Sequence, residues 1–179
     1  QIDFQPFWEK PPLFIWMQVL SMKLFGINEY AARFPNAFIG IMTLLSLYYA
    51  GKRVVNEKMA SWWVLLYAAT WLPHFYFKSG IIDPTFNLFI FLAFLQIYLV
   101  RNGERKWLHS ILAGMFLGLA VLTKGPVAIL VALLSFIVYV IVNKGLWGYK
   151  ISHILLVALS ALVTTSIWFG VEIIAHGWR

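Results

Sequence analysis

Hydrophobic positions in this chain come in long unbroken runs, separated by short clusters of charge, rather than in alternation. The first run, Leu13 to Phe25, is about thirteen residues, roughly 20 Å as helix against a hydrocarbon core of roughly 30 Å, too short to cross. Its Trp16, Gln18, Ser21 and Lys23 suit a helix lying in the membrane interface. Gly26-Ile27-Asn28-Glu29 ends it, and Asn28 or Glu29 can cap the next helix. Longer runs then predict spans at about Tyr30 to Gly51, Met59 to Phe77, Thr85 to Val100, Trp107 to Leu122, Val127 to Val142 and Ile151 to Ile174. The expected fold class is all-α: a polytopic integral membrane protein with about six transmembrane helices plus one interfacial helix. It forms one transmembrane domain over 1–179, with residues 1–29 an outer loop bearing the interfacial helix and 30–174 the spans.

Composition supports this reading. Hydrophobic residues make up 61%, aromatics 18% and charged residues only 12%, with a mean hydropathy of +0.79, whereas soluble domains carry about a quarter charged residues. The net charge of +7 does not point to nucleic acid, because the basic residues sit in short loops between apolar runs. Loops 51–58, 101–106 and 143–150 hold eight of the fourteen Lys and Arg residues, which places them in the cytoplasm by the positive-inside rule. With no cysteine there is no disulfide, thiol nucleophile or cysteine metal site. The start at Gln1 and the end just after an apolar run are expected of a piece of a longer protein.

The opposite face then collects Glu9-Lys10, Lys78 with Asp83, Lys124, and Glu172 with His176. Phe7-Trp8-Glu9-Lys10-Pro11-Pro12 sets an acid beside a base on a turn that two prolines keep out of helix. Lysines gathered beside a membrane suit a phosphorylated ligand, since ammonium groups bind phosphate as point charges and act more strongly where water is scarce. A lysine can instead simply snorkel to its interface, but Lys124, between Thr123 and Gly125-Pro126 in an otherwise uncharged stretch, is expected to be recessed in a cavity. Asp83 before Pro84 can serve as a helix N-cap or as a site acid. Glu172 and His176, four apart on a helix, make half a metal site, too few ligands to establish one. His74, His109 and His153 have no partners at ligand spacing. There is no Asp-x-Asp pair and no Gly-rich nucleotide motif, so a nucleotide is not expected and a phosphate donor arrives through the lipid.

Phe7-Trp8-Glu9-Lys10-Pro11-Pro12, Lys23-Leu24-Phe25-Gly26, Ala32-Arg33-Phe34-Pro35, Asp83-Pro84 and Leu122-Thr123-Lys124-Gly125-Pro126 together resemble the bacterial branch of the dolichyl-phosphate-mannose protein mannosyltransferase family, which includes the aminoarabinose transferases that modify lipid A. The resemblance covers essentially the whole chain, in order. It implies an inverting membrane glycosyltransferase of GT-C fold, taking a sugar from a polyprenyl-phosphate carrier to a lipid, glycan or protein acceptor on the outer face of the bacterial inner membrane. It further implies that Glu9 contacts a divalent metal ion, that Lys10 and Lys124 hold the carrier phosphate, and that Asp83 organises the site; Glu9 and Asp83 are the catalytic candidates. The family's catalytic-base aspartate is expected upstream of Gln1 and its histidine metal ligand beyond Arg179, so the piece alone is expected to be inactive. The competing reading is a transporter or flippase for a phosphorylated lipid, which would place charges at mid-span in paired broken helices; here they cluster at loop ends on one side.

Overall fold

The computed structural model describes residues 11–103, 105–145 and 148–176, the side chains of the last two of these excepted. Among the described residues eight helices are arranged in the order α1 (Leu13–Phe25), α2 (Glu29–Val54), α3 (Glu57–Ala69), α4 (Trp71–Lys78), α5 (Asp83–Asn102), α6 (Lys106–Lys124), α7 (Val127–Val142) and α8 (Ile151–His176). Among the described residues there is no strand. Helices α5 and α6, and α8 over Ile151–Ile174, are long and apolar enough to cross a membrane by length and composition. The chain is a multi-pass membrane protein of all-α architecture. The described residues gather into two compact units, one of Phe14–Leu88 and one of 89–176 with 11–13.

In the Phe14–Leu88 unit, Asn28 joins α1 to α2. Its Nδ2 donates to the Phe25 carbonyl at 2.9 Å while its Oδ1 accepts from the Ala31 amide at 2.8 Å, closing one helix and capping the next. Helix α2 thus starts at Glu29, whose carboxylate pairs with Arg33 one turn on at 3.3 Å. The expected second span, Met59 to Phe77, is not one helix: Thr70 leaves helical geometry at φ −75°, ψ 136° and divides α3 from α4. Pro73 is the physical reason. It has no N–H for the Ala69 carbonyl, and in a continuous helix its ring would collide with that group. The α3–α4 pair packs back along α2 through two glycines. A Cβ on Gly51 would lie 2.7 Å from Ala60 Cα, and one on Gly40 would lie 2.8 Å from the Phe77 ring. At the α2–α3 turn Glu57 accepts from Tyr48 (3.0 Å) and Lys52 (3.3 Å); these bonds hold its carboxyl below the usual glutamate range.

In the other unit α5 and α6 form an antiparallel hairpin. His109 Nδ1 lies 2.7 Å from Gln96 Oε1, and Phe89 stacks on Phe116 at 6.4 Å. Helices α6 and α8 run parallel and touch through small residues. Gly114 faces Ser160 Oγ and the Val157 carbonyl, and a Cβ on Gly118 would lie 2.6 Å from Thr164 Cβ. Gly114-x-x-x-Gly118 is the spacing that lets membrane helices approach backbone to backbone. Ser160 Oγ also donates across the contact to the Ile111 carbonyl at 3.0 Å. At the basic end, Arg101 donates to the Tyr139 hydroxyl at 3.2 Å and Tyr149 to the Ile97 carbonyl at 3.2 Å. The loops after α5 and α7 therefore sit together, as the charge count expects of loops on one membrane face.

Candidate functional site

Glu9 and Lys10, named by the sequence as metal-contacting acid and phosphate ligand, lie outside the described residues. Lys124 ends α6 as an exposed side chain rather than the recessed one expected of it, directly after the fully buried Thr123. The turn that carries it is fixed locally. Thr123 Oγ1 bonds back to the Leu119 carbonyl at 2.7 Å, and the Gly125 amide donates to the Val121 carbonyl at 2.7 Å. Gly125 then takes φ 80°, ψ −155°, a region essentially restricted to glycine. Pro126, at φ −61°, starts α7 at once, its carbonyl accepting from Leu130 at 3.1 Å. An ammonium group at this C-terminus is favoured by the negative end of the helix dipole.

Pro11 is the link back to the opening motif. Its Cγ lies 3.8 Å from where a Cβ on Gly125 would stand, so Pro11 rests against the glycine of the Thr-Lys-Gly-Pro turn. Below this turn an apolar groove of about 400 Å³ extends between α6, α7 and α8, within the range of ligand sites. Val121 and Ile129 line its end nearest the turn, Tyr149 and His153 its basic end.

Asp83 belongs to the other unit. It is not the N-cap of α5, the alternative role considered for it. It occupies the first helical position, and the carbonyl of Ile82 accepts the Phe86 amide at 3.2 Å. Half-buried Asp83 precedes the buried Pro84 and Thr85. The loop in front of it, residues 79–82, is gripped by a residue the sequence did not single out. Asn36 of α2, with no exposed surface, donates from Nδ2 to the carbonyls of Ser79 and Ile81, each at 2.7 Å. Gln18 of α1 adds a bond to the Ala32 carbonyl at 3.1 Å, against which Gly80 rests.

Glu172 is a half-buried residue near the end of α8, and the His176 side chain lies outside the description. Among the described residues no three His, Asp or Glu groups come close enough to hold a metal ion. His109 and His153 serve as hydrogen-bond partners, His109 to Gln96 and His153 to the Lys150 amide at 3.4 Å.

Comparison with known proteins decides the lineage. A family model described as dolichyl-phosphate-mannose-protein mannosyltransferase matches residues 9–168. The chain belongs to this family. Relatives in it include undecaprenyl phosphate-alpha-4-amino-4-deoxy-L-arabinose arabinosyl transferases. That of Shewanella sediminis is 26% identical over 170 residues, 90% of this chain and 30% of the relative. Transferase 2 of Sodalis glossinidius is 29% identical over 142 residues, 77% and 26%. The crystal structure of ArnT from Cupriavidus metallidurans bound to undecaprenyl phosphate superimposes with a TM-score of 0.85 at 24% identity, covering 94% of this chain and 32% of that one. The all-α, GT-C-like membrane architecture expected from the sequence is thereby borne out. The chain spans about a third or less of the length of these relatives.

Proposed function

We propose that this chain forms the donor-holding part of a membrane glycosyltransferase that moves a sugar from a polyprenyl-phosphate carrier to a lipid, glycan or protein acceptor. The site faces away from the basic loops, on the outer side of the bacterial inner membrane. The observation that carries this reading is the meeting of Pro11 with Gly125 above the apolar groove. Pro11 thereby stands beside the turn bearing Lys124, at the end of a groove suited to an isoprenoid chain. The relatives named for undecaprenyl phosphate and the solved complex with that carrier support the same donor class.

In the reaction, the acceptor oxygen attacks the anomeric carbon from the face opposite the carrier. The bond from that carbon to the phosphate oxygen breaks, and polyprenyl phosphate leaves with the electron pair. The acceptor proton passes to a base supplied by the remainder of the protein. Lys124 and Lys10 stabilise the charge growing on the phosphate as point charges. Asp83 organises the site, and Glu9 would contact a divalent cation. The described residues alone do not make a metal site. A flippase would need polar groups along its path, whereas Val121, Ile129, Leu133, Val157 and Ala161 make the groove mostly apolar.

The test is sugar transfer from a polyprenyl-phosphate donor by the full-length protein carrying Lys124→Ala or Glu9→Ala. Loss of kcat/KM on the order of 10²-fold is expected for each, comparable to removing one donor that stabilises transition-state charge. Lys124→Arg should retain part of the activity by keeping the charge. Wild-type rates in both alanine variants would overturn the reading.

A further inference from the structure

The bond from Asn36 to the loop before α5 goes beyond what holding α2 against α4 requires. A single buried amide nitrogen donates both hydrogens, to the Ser79 and Ile81 carbonyls, each at 2.7 Å. Both partners can only accept, so the nitrogen end must face them. The oxygen end, Asn36 Oδ1, is buried and has no hydrogen-bond partner among the described residues. Burying an amide in this way is costly, and the structure spends that cost on one loop.

The residues carried by the loop explain the cost. Lys78 directly precedes Ser79, and only Ile82 separates Ile81 from Asp83. Fixing two carbonyls on either side of Gly80 leaves a single residue of slack before the acid. The loop's own ends are tied as well: the Ser79 amide donates to the Tyr76 carbonyl at 3.2 Å to close α4, and the Phe86 amide to the Ile82 carbonyl at 3.2 Å to open α5. The middle, around Gly80, is tied by Asn36 instead. On the packed side Gln18 and the Ala32 carbonyl lie 3.6 Å from a Cβ placed on Gly80, which blocks movement of the loop toward α1 and α2.

We propose that Asn36 is a positioning residue for the transfer reaction: through the Ser79 and Ile81 carbonyls it sets the place of Asp83 without touching substrate. The proposal rests on the functional reading of Asp83 given above. Asn36→Leu keeps the approximate volume and removes both bonds, while Asn36→Asp sets oxygen against two carbonyl oxygens and should release the loop at least as fully.

The experiment uses the full-length protein, with any cysteine in the remainder of the chain replaced, and a spin label on Gly80→Cys. These 179 residues contain no cysteine of their own. Asn36→Leu should shift the label's spectrum toward the mobile limit and lower kcat/KM for the donor by about tenfold. Combined with Asp83→Asn, it should lower kcat/KM no further than the worse single variant, because both act through one group. An unchanged label spectrum overturns the proposal whatever the activity. Losses that multiply in the double variant overturn it too, since Asn36 would then act independently of Asp83. Full activity of Asp83→Asn overturns the positioning role, while the transferase reading stands or falls separately on Lys124→Ala. Should Asn36→Leu not reach the membrane, Asn36→Ala carries the same measurements.

Discussion

The turn at Lys124 and the loop before Asp83 both bring a charged residue to a helix end, yet they are built by opposite means. The Lys124 turn is closed by its own neighbours: Thr123 bonded to Leu119, Gly125 bonded to Val121, and Pro126 opening α7. The loop before Asp83 is held from 43 and 45 residues away by Asn36. A locally closed turn keeps its shape as long as its own residues do. A remotely held loop depends on a helix that carries none of the candidate chemistry. Substitutions should therefore act at the first turn through the residues in it, and at the second through a residue outside it.

The largest contrast concerns function. Lys124→Ala in the full-length protein is expected to lower kcat/KM by on the order of 10²-fold, and Lys78→Ala by less than about fivefold, because Lys124 ends the turn above the apolar groove whereas Lys78 ends α4, which does not line it. Donor titrations of both variants under one assay check the ratio. Equal losses would mean that the locally built turn has no special claim on the phosphate.

Next comes the support beneath the first turn. Gly118 lies on the face of α6 that meets Thr164 and Ala161 of α8. Gly118→Leu forces a side chain into that contact and should destabilise the protein by about 1–3 kcal/mol, read as a lower thermal midpoint in detergent. Leu117→Ile beside it changes shape without adding volume and should cost less than about 1.5 kcal/mol. A midpoint as high for Gly118→Leu as for Leu117→Ile would show that close approach of the two helices is not what fixes α6 and the turn at its end.

The same contrast explains what the sequence could reveal. Runs of apolar residues predicted most helix positions, because a bilayer demands length and hydrophobicity from each segment separately. Thr-Lys-Gly-Pro was legible as a turn because its backbone demands are met by residue types within it. The break at Thr70 was missed because hydrophobicity runs through it while Pro73 acts on the carbonyl one turn earlier. Asn36 gave no signal as an ordinary polar residue in a helix, since its role depends on which carbonyls the packing of α2 against α4 brings to it. Gly114-x-x-x-Gly118 has the spacing of a close helix contact, but nothing in the sequence names its partner on α8. The meeting of Pro11 with Gly125 likewise joins positions more than a hundred residues apart, beyond any pattern of spacing.

The smallest expected effect is the sharpest test of the difference, because it compares two glycines by backbone alone. Gly125 sits at φ 80°, ψ −155°, and a Cβ there would meet Pro11 at 3.8 Å, an ordinary contact. Its substitution costs conformation rather than space. Gly125→Ala is expected to lose about 1–3 kcal/mol, and Gly125→Asn should do no better, because this is not the left-handed helical region that asparagine tolerates. Gly80 has no positive φ, and its Cβ would find the Ala32 carbonyl and Gln18 at 3.6 Å, again ordinary contact. Gly80→Ala is therefore expected to stay within about 0.5 kcal/mol of the parent. Thermal midpoints of the three variants, measured side by side, decide it. A Gly80→Ala cost matching that of Gly125→Ala would mean that the loop before Asp83 also relies on its own backbone, and that the hold exerted by Asn36 is not what shapes it.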